Sequence, residues 1–201
     1  MPATSKKRSS GRRSRTTTRR QTTSRSGKDA ISLLKQDHEK VMQLFKRFEK
    51  NPSEELLDQI ENEIKVHTQI EEEIFYPAFR EAVESSKDEH LYYEAVEEHH
   101  VVDLVLPEIK ATSEGSDEFE AKGKVLKDLI EHHAKEEEEK IMFPRARKAM
   151  GMAQLREIGE QLQQRKQELM GVTGARATGA FERMLKPITG GRGGRNRGRA
   201  A

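Results

Sequence analysis

Between residues 29 and 170, apolar side chains return at every third or fourth position in successive runs, the period of an amphipathic α-helix. The first run opens at Asp29, a residue suited to capping, and places Ile31, Leu34, His38, Val41 or Met42, Phe45 and Phe48 on one face. Asn51-Pro52-Ser53-Glu54 then reads as a cap, a proline at the first helical position and an acid three residues after the cap. The second run carries Leu56, Leu57, Ile60, Ile64, His67, Ile70 or Glu71, and Ile74. Pro77 should kink or end it, leaving Phe79 and Val83 in a following turn. A turn at Ser85-Ser86-Lys87-Asp88 precedes a third run from about Glu89 to Ile109, with Tyr92, Val96, His99, Val102 or Asp103, and Leu106 inward. Pro107 argues for a kink or an early end there. After a polar connector at 111–118, Asp117 and Glu120 form a capping pair. The fourth run presents Phe119, Val125 or Leu126, Leu129, His132 or His133, Glu136 or Glu137, and Met142. A last amphipathic segment, Gly151 to Leu169, sets Met152, Leu155, Ile158, Leu162 and Leu169 on one side. The pattern predicts an all-α protein, with an up-down-up-down four-helix bundle over 29–150 and an accessory helix over 151–170.

The inward lines are unusual in carrying histidine. His67-Thr-Gln-Ile-Glu71-Glu72-Glu73-Ile-Phe-Tyr-Pro77 returns as His132-His133-Ala-Lys-Glu136-Glu137-Glu138-Glu139-Lys-Ile-Met-Phe-Pro144, and each copy sets a histidine four residues before a carboxylate. His38 lies ahead of the first copy, and His99 with His100 ahead of the second, so the two helix pairs look like an internal repeat. A lone histidine on an apolar stripe is ordinarily a packed core residue with its ring nitrogens satisfied. Several at one depth, with carboxylates beside them, make better physical sense if they share a cation. Imidazole with carboxylate suits iron, manganese, zinc or copper, whereas oxygen-only donors favour magnesium or calcium.

Composition changes the picture at the ends. The 201 residues include 33% hydrophobic and 36% charged positions, too few apolar residues for the whole chain to enter a core. The net charge of +2 divides into +10 over residues 1–28, −14 over 29–170 and +6 over 171–201. The first segment is rich in Arg, Ser and Thr and the last in Gly and Arg, so both are expected to be disordered. Arg12, Arg13, Arg19 and Arg20 in the arm, with Arg192, Arg195, Arg197 and Arg199 in the tail, are candidate contacts to nucleic-acid phosphates. The absence of cysteine excludes disulfides, iron–sulfur clusters and thiolate zinc sites. No apolar run reaches the length of a membrane span, which leads to the expectation of a soluble, cytoplasmic protein without membrane insertion.

Four short motifs are similar to those of the hemerythrin-like, or HHE cation-binding, family: Asp37-His38-Glu39; His67-x-x-x-Glu71-Glu72 before Phe-Tyr-Pro; Glu98-His99-His100; and His133-x-x-x-Glu137-Glu138 before Met-Phe-Pro. The resemblance covers about residues 30–150. It implies a four-helix bundle with a non-haem di-iron centre, in which His38, His67, His99 and His133 are terminal ligands and Glu71 and Glu137 bridge. Manganese or zinc could substitute for iron. Two departures stand out. Oxygen-carrying hemerythrin has two histidines four residues apart on the third helix, but Asp103 stands four after His99, and Ala95 and Val96 stand four before His99 and His100. His132 with Glu136 is also spaced as well as His133 with Glu137, and proline follows His133 by eleven residues but His67 by ten. His132, Glu136, His100 and Asp103 are therefore alternative donors.

A shell poor in histidine and rich in carboxylate favours ferric iron over reversible oxygen carriage. The resemblance thus implies a centre that binds or reacts with dioxygen, peroxide or nitric oxide, as a sensor, scavenger or stress protein. An enzyme consuming peroxide or nitric oxide is an alternative, and it would need an outside electron donor for any net oxidase reaction, since no flavin, nicotinamide or thiol redox motif is present. A nucleic-acid-associated protein with a metal-binding bundle is another, and can coexist with the first.

Overall fold

The computed structural model describes residues 27–177, with side chains through Gly171. The eight arginines named as candidate phosphate contacts lie outside the described residues. Four long helical arms form the bundle. The first is α1 (Ala30–Phe48), capped by Asp29, whose carboxylate accepts from the Ser32 N–H. The second is α2 (Glu54–Ile70), which runs through a π-helical turn at Glu71–Phe75 into α3 (Tyr76–Ala82). The third is α4 (Ser86–Lys110), and the fourth is α5 (Asp117–Glu131), continued by a π-helical stretch at His132–Met142. The helix α6 (Phe143–Ala177) follows and is broken at Gly151, where φ is 73° and ψ is 170°. That left-handed backbone, costly for a residue with a Cβ, redirects the chain so that the remainder of α6 returns along α1 and α2.

Several boundaries differ from the sequence expectations. The cap of α2 is Ser53 rather than Asn51: its hydroxyl accepts from the Leu56 N–H at 3.3 Å, and Pro52 precedes the helix. Ser116 rather than Asp117 caps α5, accepting from the Phe119 N–H at 3.1 Å, which leaves Asp117, Glu118 and Glu120 in the first turn to complement the helix dipole. Pro77 neither ends nor kinks its arm into a turn. The π turn places it at the start of α3, where a missing N–H forfeits nothing, and Phe79 is fully buried within that helix. Pro107 lies so close to the end of α4 that the helix continues to Lys110. On α5 the inward line runs Phe119, Gly123, Leu126 and Ile130, while Val125 and Leu129 face outward. Met152 is likewise exposed.

The apolar core is in two parts. One contains Ile31, Leu34, Ile70, Phe75, Phe79 and Phe143 together with Leu155, Ile158 and Leu162 of α6. The other contains Val41, Phe45, Phe48, Leu57, Ile60, Val102, Leu106, Phe119 and Leu126. Between them every arm inserts buried polar residues: His38 from α1, His67 and Glu71 from the second arm, His99 from α4, and His133 and Glu138 from the fourth. Among the described residues no helix is long and apolar enough to cross a membrane.

The docking of α6 depends on Gly159, where a Cβ would lie 2.4 Å from the Lys28 carbonyl oxygen and 2.9 Å from the Ala30 nitrogen. Both are backbone atoms and cannot swing aside. Gly159→Ala should therefore destabilise the fold by about 1–3 kcal/mol in urea unfolding. Gly171→Ala, with nothing within 4 Å, should leave stability unchanged or slightly raised.

Candidate metal centre

The polar layer is two imidazole pairs spanned by two carboxylates. His38 and His67 bring their Nε2 atoms to 3.0 Å, and His99 and His133 bring theirs to 3.1 Å. Glu71 Oε2 lies 3.2 Å from His67 Nε2 and 3.6 Å from His99 Nε2. Glu138 Oε2 lies 3.0 Å from His38 Nε2 and 3.7 Å from His133 Nε2. Each carboxylate thus reaches one ring of each pair. His38, His67, Glu71 and Glu138 offer donor atoms all within 4.8 Å of one another, and Glu71, His99 and His133 form a second such group.

Outer carboxylates fix the ring orientation. His38 Nδ1 lies 3.1 Å from Glu139 Oε1, His99 Nδ1 is 2.8 Å from Glu72 Oε1, and His133 Nδ1 is 2.5 Å from Glu98 Oε2. His67 Nδ1 faces Asp37 at 3.7 Å, beyond hydrogen-bond reach. An ionised carboxylate only accepts, so it favours the tautomer with the proton on Nδ1 and a lone pair on Nε2. Facing lone pairs at 3.0 Å repel each other unless a proton or a metal cation lies between them. Burial opposes a charge on His38, but Glu138 and Glu139 outweigh it and raise the ring above the ordinary histidine range, which favours a positive charge there. Glu71 Oε1 and Glu138 Oε2 are buried and find no hydrogen-bond partner among the described residues. Orphaned oxygens beside inward nitrogen lone pairs are the donor chemistry of a cation site, and these residues fit one.

Tyr76 reaches the same point. Its Oη lies 3.0 Å from Glu138 Oε1 and 3.4 Å from Glu71 Oε2, and 3.3 and 3.4 Å from the Nε2 atoms of His99 and His133. Burial first, and then the two carboxylates, push its phenol well above the ordinary tyrosine range, so it holds its proton and donates. Burial also lowers His67 to about 4, keeping it neutral at physiological pH. Glu71 is pushed up by burial and by Glu138. Burial opposes ionisation of Glu138 too, but His133 and His38 outweigh it and hold that carboxyl low. In the metal-free layer the proton therefore sits on Glu71 and Glu138 stays ionised.

The sequence expectation placed Glu137 here, and the structure corrects it to Glu138. Backbone bonding explains the shift. In the stretch His132–Met142 the turns are π-helical, with Phe143 N–H donating to the Glu138 carbonyl, so the residue five after His133 shares its face. In the other arm the π turn begins only at Glu71, after the His67–Glu71 spacing of four is complete. Glu137 instead sits near the surface, 3.3 Å from the exposed His132, and burial together with Glu98 raises its carboxyl to about 8. Glu136 points outward and pairs with Lys140. His100 and Asp103 are exposed and take no part in the layer. Sequence reasoning missed Tyr76, Asp37, Glu98 and Glu139, although the offset between the two prolines had signalled an extra residue: counting back six from Pro77 gives Glu71, and six from Pro144 gives Glu138.

The fold has counterparts among known proteins. A family model for the hemerythrin HHE cation binding domain matches residues 29–146, and the chain belongs to that family. A crystal structure of a hemerythrin HHE cation binding domain-containing protein from Mycobacterium kansasii superposes with a TM-score of 0.62 at 27% identity, covering 79% of this chain and 94% of that one. A protein named DNA nickase from Nostoc sp. is 27% identical over 152 residues, 74% of this chain. The chain spans only 42% of that relative's length.

Glu139 gives the centre a test in acid. Burial acts to raise its carboxyl, but His38, Lys135 and Lys35 outweigh that and hold it down to about 2. A folded-state value below the unfolded one of about 4.3 contributes stability that is present above that pH and is lost as pH falls towards 2. In the metal-free protein Glu139→Gln should be less stable than the parent near neutral pH. The two urea-unfolding curves should converge as pH approaches 2.

Proposed function

We propose that His38, His67, Glu71, His99, His133 and Glu138 hold two iron ions, with Glu71 and Glu138 bridging, and that this centre reacts with peroxide, dioxygen or nitric oxide in a scavenging, sensing or stress role. The observation that carries the reading is the spanning of both imidazole pairs by two buried carboxylates, each with one oxygen, Glu71 Oε1 and Glu138 Oε2, that finds no hydrogen-bond partner among the described residues. Imidazole and carboxylate donors also accept manganese or zinc. Two carboxylates with a phenol beside them favour ferric iron, and hence reaction rather than reversible oxygen carriage. Bound iron would supply the one-electron chemistry that none of these side chains possesses.

The chain's own residues do the rest. Outer carboxylates orient the rings, and the two apolar core layers flank the donors. Tyr76 holds a proton at Oη, facing both Glu138 and the His99/His133 pair, where it can donate to an oxygen-containing ligand. That placement favours peroxide among the three candidates, since peroxide is the one that gains most from a positioned proton.

Protein loaded with ferrous iron under anaerobic conditions should bind two ions per chain and develop a visible absorption band when exposed to dioxygen. Glu138→Gln should lose iron and band together, whereas Glu137→Gln should keep both. Tyr76→Phe should keep its iron and slow peroxide consumption by about 10²-fold. Many turnovers per iron would mark a peroxide-consuming enzyme, and a single stoichiometric reaction a sensor or scavenger. Absence of bound iron and of the band would overturn the proposal.

A second reading concerns nucleic acid. The relative named DNA nickase, together with +10 and +6 charges flanking a −14 bundle, supports phosphate binding by residues 1–28 and 171–201. Affinity for DNA or RNA should fall steeply with salt and vanish when both segments are removed. Retained affinity in the trimmed protein would contradict it, since the acidic bundle repels phosphate.

A further inference from the structure

We infer that uncharged small molecules reach the centre through the cleft between α4 and α5, and that they arrive at its His99/His133 half. The inference rests on the two-metal reading above and adds to it a route, a side and a class of ligand.

The cleft is about 270 Å³ in volume. Its walls are Val101 and Val102 of α4 with Leu129 and Ile130 of α5, and its floor includes the rings of His99 and His133. Leu129 and Val101 are 36% and 43% exposed, so the wall begins at the surface and ends at the site. Neither His38 nor His67 of the opposite half lines this cleft. His38 stacks on Phe143 with ring centroids 5.9 Å apart, and its Nδ1 side is covered by Glu139, which also pairs with Lys35 and Lys135. The Nδ1 face of His67 is covered by Asp37, itself paired with Lys166 of α6. A larger depression of about 490 Å³ lies there between α1 and α6, but no site histidine lines it.

Donor supply points to the same side. The half away from the cleft gathers His38, His67, Glu71 and Glu138 closely, while at the cleft Glu71, His99 and His133 gather and Glu138 Oε2 stands off at 3.7 Å from His133. The fourth direction there is faced by the Tyr76 hydroxyl, a proton donor. Both carboxylates lie nearer the other pair, at 3.0 and 3.2 Å against 3.6 and 3.7 Å, and the looser half is the one the cleft reaches.

Charge at the mouth selects the ligand. Glu94, Glu97 and Glu98 line the cleft with the exposed His132, which Glu137 faces at 3.3 Å, and among the described residues no Lys or Arg does. Anions are repelled there, whereas hydrogen peroxide, dioxygen and nitric oxide carry no charge and are not turned away.

Two measurements test this. In the metal-free protein under dissolved dioxygen, paramagnetic broadening of methyl NMR signals should be stronger at Val102 and Ile130 than at Leu34 and Leu162, and should disappear from them in Leu129→Trp or Val101→Trp. In the iron-loaded protein the same variants should react with peroxide several-fold more slowly at unchanged iron content. Gln163→Trp, in the larger depression, should react at the parent rate. Glu94→Lys with Glu97→Lys should speed azide association several-fold at low salt. Uniform broadening, or cleft-filling variants that react at the parent rate, would overturn the inference. Failure to take up iron would defeat the two-metal reading alone, because the broadening is read without metal.

Discussion

Everything in this bundle is arranged around a layer of charge held out of water. Glu71 and Glu138 are fully buried, 3.0–3.7 Å from four imidazole nitrogens, with apolar clusters above and below. Burying a carboxylate without compensation costs several kcal/mol, so a metal-free layer is the weakest stratum of an otherwise well-packed core. The protein reduces that cost from outside by setting a carboxylate behind each imidazole, and Tyr76 contributes one donated proton from within. Glu71 Oε1 and Glu138 Oε2 find no hydrogen-bond partner among the described residues, and the centre proposed above would supply positive charge to them.

The two π-helical segments are how the backbone meets this demand. A strictly α-helical fourth arm would turn Glu137 toward the layer and Glu138 away. The wider turn from His132 to Met142 brings Glu138 in and releases Glu137 to the surface beside His132. In the second arm the π turn follows Glu71, so it leaves the His67 spacing intact and instead brings Tyr76 to the centre and sets Pro77 at the start of α3.

Much of this was legible in the sequence because helical period is a strong signal over long runs. His38, His67, His99 and His133 all sit on apolar stripes, and their depth followed directly from the residues on either side. Period alone failed where the helix departs from 3.6 residues per turn, which is why Glu137 was expected where Glu138 stands. Tyr76 escaped notice because an aromatic residue before a proline reads as core, and its hydroxyl matters only once three other segments meet it. Asp37, Glu98 and Glu139 belong to runs of acids whose outward and inward members differ by a single position. The caps moved for a related reason: serine stood within two residues of each expected cap, and local hydrogen bonding chose Ser53 and Ser116.

A cation shared by the layer must also be felt in the stability of the fold. The direct measurement is the unfolding free energy of the full chain in urea as a function of free ferrous ion. Ions that bind only the folded state raise stability logarithmically with concentration, and the slope counts those released on unfolding. A slope equivalent to two ions per chain is expected, reduced to baseline in Glu138→Gln. A stability independent of the ion would mean that the buried carboxylates and imidazoles are satisfied by one another alone.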